Sequence, residues 1–524
     1  MKHIDATTAR ARVHGADEIA FLDMREAGQF GEGHPLFAVP LPYSQLELRI
    51  GALVPRTDAP IILIDGGDGV AERAAARLKV LGYCDVAVID GGISAWAAAG
   101  FPLYKGVNVP SKTLGELAEA LWHPATIQAE QLAAWQARAE RFAFFDTRPP
   151  EEYAKMRVPG ARCLPNGELA HRLAAVATEE GPLVVTCAGR TRGIVGAIGL
   201  RLAGHKGPVF ALENGTQGWA LAGMTLERGN TAQPYPPLDE AGLSHSRARA
   251  AAILARYGIA RIDGKTAASM LQDTGQTSYL FDLRTQEERA QDPVRAAIHA
   301  PGGQLVQATD QWVGVRRSRI ILVCDGGLRS ALAAFWLKQL GYTPVVAAID
   351  PELRALAGQD MRNHPPSMTG RLDARAAISA VRAGALLVDL RGSMAYRRDH
   401  VAGAVWAIRP RMSQLGPLND RAVVVIAETR AIADMAAVEL AELGARRVDW
   451  VEGGMTALFA AGARKESTPR RPSDKDAIDH LFFVHDRHDG NLEASRRYLD
   501  WETGLIAQLD AHERAEFRLI GPED

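Results

Sequence analysis

The sequence predicts an α/β protein of four tandem repeats, each a mainly parallel sheet with helices on both faces, followed by a helical tail. Three observations predict it. A strand ending in Asp-x-Arg recurs at Asp23-Met24-Arg25, Asp146-Thr147-Arg148, Asp282-Leu283-Arg284 and Asp389-Leu390-Arg391. A second apolar strand follows each, at 61–64, 183–186, 320–323 and 423–426, and leads into a loop and a helical pattern. The residue that opens each loop, Asp65, Cys187, Cys324 or Ala427, stands 17 positions before a glycine placed to end the helix (Gly82, Gly204, Gly341, Gly444). Short apolar strands alternating with helices give parallel sheets.

The bulk numbers are those of a large water-soluble chain. Its 524 residues exceed one core, and 47% hydrophobic with 23% charged residues is ordinary. A net charge of −2 gives no reason to expect nucleic acid or an anionic membrane as partner. Four cysteines without a C-x-x-C pair make neither a disulfide framework nor a zinc site. The N-terminal residues lack the apolar core of a signal peptide, and no apolar run is long enough to span a membrane. A cytoplasmic protein with no metal and no cofactor is expected; its oligomeric state is not readable.

In order, the first repeat occupies 1–106 and the second 113–229, with a short linker at 107–112. Three prolines mark 230–238, and a linker helix at 244–257 opens the third repeat, 241–362. The segment 363–369 joins it to the fourth, 370–464, and a charged helical tail fills 465–524, with one helix from Leu492 to about Glu513. Repeats one, two and four close with a glycine turn and a short helix, at Gly91-Gly92, Asn214-Gly215 and Gly453-Gly454. The third reads Asp350-Pro351 there and has lost the turn.

The chemistry concentrates on Cys187-Ala188-Gly189-Arg190-Thr191-Arg192-Gly193. The cysteine ends a strand, and a helix starts at about Gly193. The N–H groups of the helix entrance and the two arginines favour a thiolate there. Either arginine alternatively pairs with a neighbouring acid. A second loop, Cys324-Asp325-Gly326-Gly327-Leu328-Arg329-Ser330, has the same length, but one arginine fewer and an aspartate beside the thiol, which disfavours its thiolate. Cys84 and Cys163 read as structural, Cys163 alternatively as a thiol that reaches the active loop. Glu168 and His171 read as a solvated loop or, alternatively, the wall of the second repeat's pocket. His480, His485 and His488 lack a second ligand cluster, so a turn capping a docking helix is the reading preferred to a metal site.

These motifs together resemble the rhodanese (sulfurtransferase) superfamily. The likeness rests on Asp146-Thr147-Arg148 with Glu151-Glu152-Tyr153, on Val158-Pro159-Gly160-Ala161, on the strand ending in Cys187, and on the turn ending at Trp219. It covers nearly all of 1–464 and is similar to bacterial four-domain proteins of that kind. Met156-Arg157 stands where the family usually has Gly-His, and Asp65 and Ala427 replace the cysteine, which implies inactive first and fourth domains. The resemblance implies a Cys187 persulfide, a small anionic sulfur donor such as thiosulfate, and a thiol or dithiol acceptor, with cyanide as acceptor in an assay. A sulfur-relay scaffold is the alternative. Cysteine-loop phosphatases and arsenate reductases need Arg six positions after the cysteine; Gly193 and Ser330 stand there instead.

Overall fold

The computed structural model describes residues 2–178, 180–358 and 367–523. Each repeat contains five parallel strands in the spatial order first, fifth, fourth, second, third. In the second repeat these are Thr126–Ile127, Val209–Leu212, Leu183–Thr186, Ala143–Asp146 and Arg162–Cys163. The third repeats this order with Arg261–Ile262, Thr343–Ala347, Arg319–Val323, Ser278–Asp282 and Ile298–His299. The first and fourth repeats have the same order and direction. Leu183, Val184 and Val185 are wholly buried, which is why the central strands read as unbroken apolar runs.

Chain connections leave the second and fourth strands toward opposite sides of the sheet. The crevice between their carboxyl ends is therefore the topological switch point, where open α/β sheets bind ligands. The loops after Asp146 and after Thr186 flank it. The glycine 17 positions into each loop-helix unit has a left-handed backbone, with φ of 92°, 86°, 88° and 87°. Such a residue ends a helix cheaply only without a Cβ.

The chain forms two compact units. One holds the described residues of 1–12, 19–107 and 360–483, with the first and fourth repeats; the other holds those of 13–18, 108–359 and 484–524, with the second and third. Several joints differ from expectation. The expected linker at 107–112 contributes the start of a helix, Val109–Trp122. The linker helix runs Glu240–Arg256, earlier than expected, because the Asp239 side chain caps it by accepting from Gly242 N. Residues 363–366 of the expected joint at 363–369 lie outside the described residues. The tail is helical only from Leu492. Lys465–Glu466 instead pairs antiparallel with His400–Val401. The expected single helix is three, Leu492–Thr503, Leu505–Gln508 and Ala511–Ala515, the last capped by Asp510. Among the described residues no helix is long and apolar enough to cross a membrane.

The four Asp-x-Arg pairs are one repeated device. Asp146 accepts from Arg148 Nε at 2.9 Å and Nη2 at 2.6 Å, and the same Nη2 donates to the Met156 carbonyl at 2.6 Å. Arg25, Arg284 and Arg391 reach the carbonyls of Gly33, Asp292 and Asp399 in the same way, each eight residues on. Both partners in the second repeat are buried, Asp146 at 0% and Arg148 at 1% exposure. Removing one charge of a buried pair strands the other. Arg148→Ala is expected to destabilise its unit by about 3–5 kcal/mol, read as an earlier urea transition. A loss below about 1 kcal/mol would show that the fork behaves like a surface pair.

Candidate active site

Cys187 follows the buried strand Leu183–Thr186, and the next helix, Thr191–Leu202, starts two residues before the expected Gly193. Two forces shape the loop between them. Arg190 turns the chain: its carbonyl accepts from Gly193 N and Ile194 N. The closing helix Gly215–Leu221 then clamps the loop, with Thr216 N donating to the Cys187 carbonyl at 2.8 Å and Gln217 N to that of Ala188 at 3.2 Å. Gly215 has φ of +56°, and a Cβ there would stand 2.3 Å from the Cys187 carbonyl oxygen. Only glycine permits this approach. The N–H groups of Gly189 and Gly193 face the cysteine sulfur.

Both loop arginines are held by carboxylates. Arg190 is forked on Glu116, at 2.8 and 3.0 Å, and also reaches Glu119. Arg192 is forked on Glu152, at 2.7 Å to each oxygen. The pairing alternative holds for both. Glu152 belongs to a quoted motif, Glu151-Glu152-Tyr153, whereas Glu116 and Glu119 come from the helix that precedes the second sheet, with no spacing to reveal them.

The tail supplies a roof that sequence reasoning missed. Thr191 Oγ1 donates to Glu502 Oε1 at 2.7 Å. A Cβ on Gly189 would stand 3.1 Å from both Glu502 Oε2 and the Tyr498 ring. Glu502 is 1% exposed, and its Oε2 has no hydrogen-bond partner. Beneath this roof Cys187 is 2% exposed. Burial pushes its thiol above the ordinary range; Glu502 adds to that, while Arg192 and the N–H groups of Gly193 and Gly189 oppose it. Burial here therefore works against the expected thiolate.

The first repeat displays what this kind of loop prefers. Asp65 stands in the cysteine's place and folds back on its own loop, Oδ1 accepting from Gly67 N at 2.8 Å and Oδ2 from Ala71 N at 3.0 Å. The loop N–H groups thus find acceptors on the side chain that stands in the thiol's place.

The second thiol loop follows the strand Arg319–Val323 and precedes the helix Leu328–Gln339. Arg329 is forked on Glu288 at 2.7 and 2.9 Å and pairs with Glu168 at 3.0 Å. Glu168 is thus no solvated residue: it lies on the helix Asn166–His171, bound also to Arg172 at 2.9 Å. On the same helix, Asn166 Nδ2 donates to the Arg192 carbonyl at 2.9 Å. His171 packs against Gly326 and bonds Ser246 Oγ at 2.9 Å. Burial, then Arg329, push it down to about 3, so it is neutral. Asp325 accepts from Gly326 N at 2.8 Å. The helix that should close this loop, Pro351–Arg354, is instead tied by Asp350 to Gly264 N and Leu353 N. Among the described residues no backbone hydrogen bond joins it to the Cys324 loop, and Cys324 lines a cavity of about 340 Å³.

The remaining candidates are accounted for. Cys163 donates to the Arg148 carbonyl at 3.5 Å, and burial pushes it up to about 12. Cys84 is exposed, and all four cysteines are free thiols. Burial and Arg487 push His488 down to about 3. His171, Glu288 and Asp325 are the one group with metal-ligand proximity among the described residues, and Arg329 is already paired with both of its carboxylates.

The rhodanese-like domain family matches residues 5–99, 128–222 and 264–351, more than half of the chain. The crystal structure of thiosulfate sulfurtransferase from Pseudomonas aeruginosa is 35% identical, superposes with a TM-score of 0.90, and aligns 99% of this chain with 100% of that one. A thiosulfate sulfurtransferase from Azotobacter vinelandii is 28% identical over 177 residues, 30% of this chain and 64% of that protein. A probable 3-mercaptopyruvate sulfurtransferase from Pseudomonas aeruginosa is 37% identical over 139 residues, 25% of this chain and 47% of that protein.

The roof makes a direct prediction. Glu502→Gln should speed alkylation of Cys187 by about threefold to tenfold at neutral pH, since one unit of thiol pKa is tenfold in thiolate. In the intact protein a raised thiol gains thiolate only at higher pH. Its alkylation rate should therefore still climb above about pH 9.5, a unit past the ordinary thiol pKa of about 8.5, where an ordinary thiol levels off. Peptide mass mapping of iodoacetamide-treated protein measures both; an unchanged rate in Glu502→Gln would refute the roof's effect.

Proposed function

The chain belongs to the rhodanese-like domain family, and on that premise we propose that it is a sulfurtransferase working through a persulfide on Cys187. The carrying observation is the placement of the Cys187 sulfur at the switch point, facing the N–H groups of Gly189 and Gly193 where a helix begins. The loop length supports sulfur over phosphorus chemistry. Arg192 is the fifth residue after the cysteine, and the sixth is Gly193.

In the proposed reaction the Cys187 thiolate attacks the outer sulfur of thiosulfate. The Cys187 Sγ–S bond forms, the donor's S–S bond breaks, and its electron pair leaves with sulfite. The loop N–H groups hold the charge of the resulting persulfide. Cyanide, or a thiol in the cell, then attacks the outer sulfur and restores the thiolate. Arg190 and Arg192, held by carboxylates, shape the loop rather than seize the donor. The roof helix Leu492–Thr503 yields before a donor enters. The protein is read as acting in the cytoplasm, with neither metal nor cofactor in the reaction.

Cys187→Ala is expected to lower thiosulfate:cyanide turnover by more than about 100-fold, with Cys324→Ala near wild type, and the one-sulfur adduct should map to the Cys187 peptide. Undiminished turnover in Cys187→Ala sinks the site assignment. Phosphate release from an aryl phosphate, lost in that variant, would replace the reaction class.

A further inference from the structure

We propose that the tail helix Leu492–Thr503 is an autoinhibitory cover of the Cys187 loop, in which the Glu502 carboxylate competes with the anionic end of the donor and is displaced by negative charge on the Cys187 sulfur. The inference rests on the reading of Cys187 as the sulfur carrier and adds a control on that site.

Its first support is where the carboxylate stands. Arg190 and Arg192 are forked on Glu116 and Glu152, which leaves the Thr191 hydroxyl as the loop's side-chain donor for an anion. Glu502 Oε1 already accepts from it, at 2.7 Å. Tyr498 and Glu502 are four residues apart, on one face of their helix. Glu502 Oε2 and the Tyr498 ring both lie over Gly189, each 3.1 Å from where a Cβ would stand. The helix that carries them packs on the closing helix Gly215–Leu221 and on Val109–Trp122. Cover and clamp thus meet over one loop, and Cys187 is left 2% exposed.

An unmet acceptor is the second support. Glu502 is 1% exposed, yet among the described residues its Oε2 accepts no hydrogen bond. The neighbouring amide, Gln217 Nε2, donates to the Ala188 carbonyl at 3.1 Å instead. A buried carboxylate oxygen left unpaired is costly. Lys112 and Arg190 attract the carboxylate, and Glu116 repels it. Fixed cations and packing therefore hold Glu502 in place more than its own bonds do. A charge held in this way loses little when another anion takes over the Thr191 hydroxyl.

The third support is the sign of the coupling between cover and sulfur. Glu502 stands close enough to Cys187 to disfavour its thiolate. Linkage is reciprocal, so a thiolate or a persulfide anion disfavours the closed carboxylate by the same factor. Closure suits the resting thiol. Charge on the sulfur, and above all a persulfide awaiting its acceptor, favours the open site.

Opening is an exchange of acceptors, with no covalent bond made or broken. The Thr191 hydroxyl leaves Glu502 Oε1 for an oxygen of the donor, and the released carboxylate is solvated by water. One anion replaces another over the loop. The cover therefore acts by competition: it raises the donor concentration needed to fill the site and leaves the filled site unchanged.

The test has a kinetic arm and an arm that needs no turnover. In thiosulfate:cyanide assays, Glu502→Gln and Tyr498→Ala should each lower the KM for thiosulfate by at least about threefold, with kcat near wild type. An unchanged KM in both overturns the competition. The second arm compares hydrogen exchange of the 492–503 peptide in Cys187→Ser, neutral, and Cys187→Asp, charged; Asp65 shows that a loop of this kind takes an aspartate there. Exchange should be at least about tenfold faster in Cys187→Asp, and adding Glu502→Gln to both should abolish the difference. Equal exchange in the two variants overturns the coupling. Normal turnover with neither a KM shift nor an exchange difference overturns the cover and leaves the proposed function standing. The exchange difference in a protein whose wild type transfers no sulfur supports the displacement by charge and overturns the proposed function instead. Thiosulfate added to wild type should itself speed exchange of the 492–503 peptide, which keeps the test decisive even if a variant fails to fold.

Discussion

An arginine, buried in three repeats and half-buried in the fourth, reaches from its own aspartate to a carbonyl eight residues on and underlies every repeat. The fork closes the end of the second strand, caps the short helix that follows, and fixes the wall of the crevice into which the fourth strand delivers its loop. In the second repeat Asp146, Arg148 and Met156 form that wall, and Cys163 donates to the carbonyl of Arg148 itself. The device sits in repeats with and without a cysteine, so it belongs to the scaffold. With the crevice fixed, the residue that opens the loop is free to vary as Asp65, Cys187, Cys324 or Ala427.

The variation is informative because the surrounding backbone is constant. Asp65 places two carboxylate oxygens on loop N–H groups, so a side chain of the loop itself satisfies that nest of donors. Cys187 has the same kind of nest but lies under Tyr498 and Glu502, where burial outweighs it. Cys324 has lost the clamp of a closing helix and lines a cavity instead. Activation and access are thus set by different parts of the chain: the nest by the loop, the cover by distant segments.

This division explains what was legible in the sequence. The alternation of strands and helices follows from local signals, because the second strand of each repeat ends at Asp-x-Arg, the fourth ends at the loop residue, and the helix after it ends at a glycine with φ near 90°. The missing Gly turn at Asp350-Pro351 was visible as well, although it reads as decay and in the structure opens a cavity. Long-range partners were not legible. Arg190 meets Glu116 and Glu119, Arg329 meets Glu168 from the neighbouring repeat, and Thr191 meets Glu502. No periodicity encodes a contact between charges so far apart in the chain. The gathering of repeats one with four and two with three is equally non-local.

The distance between Thr191 and Glu502, 311 positions, has a consequence for biosynthesis. At about 5–20 residues per second, a ribosome that has made the Cys187 loop needs on the order of 15 to 60 s more to make its cover. Throughout that interval the second repeat can fold with its thiol open to the cell, so the nascent chain passes through a form whose Cys187 is chemically more exposed than in the finished protein.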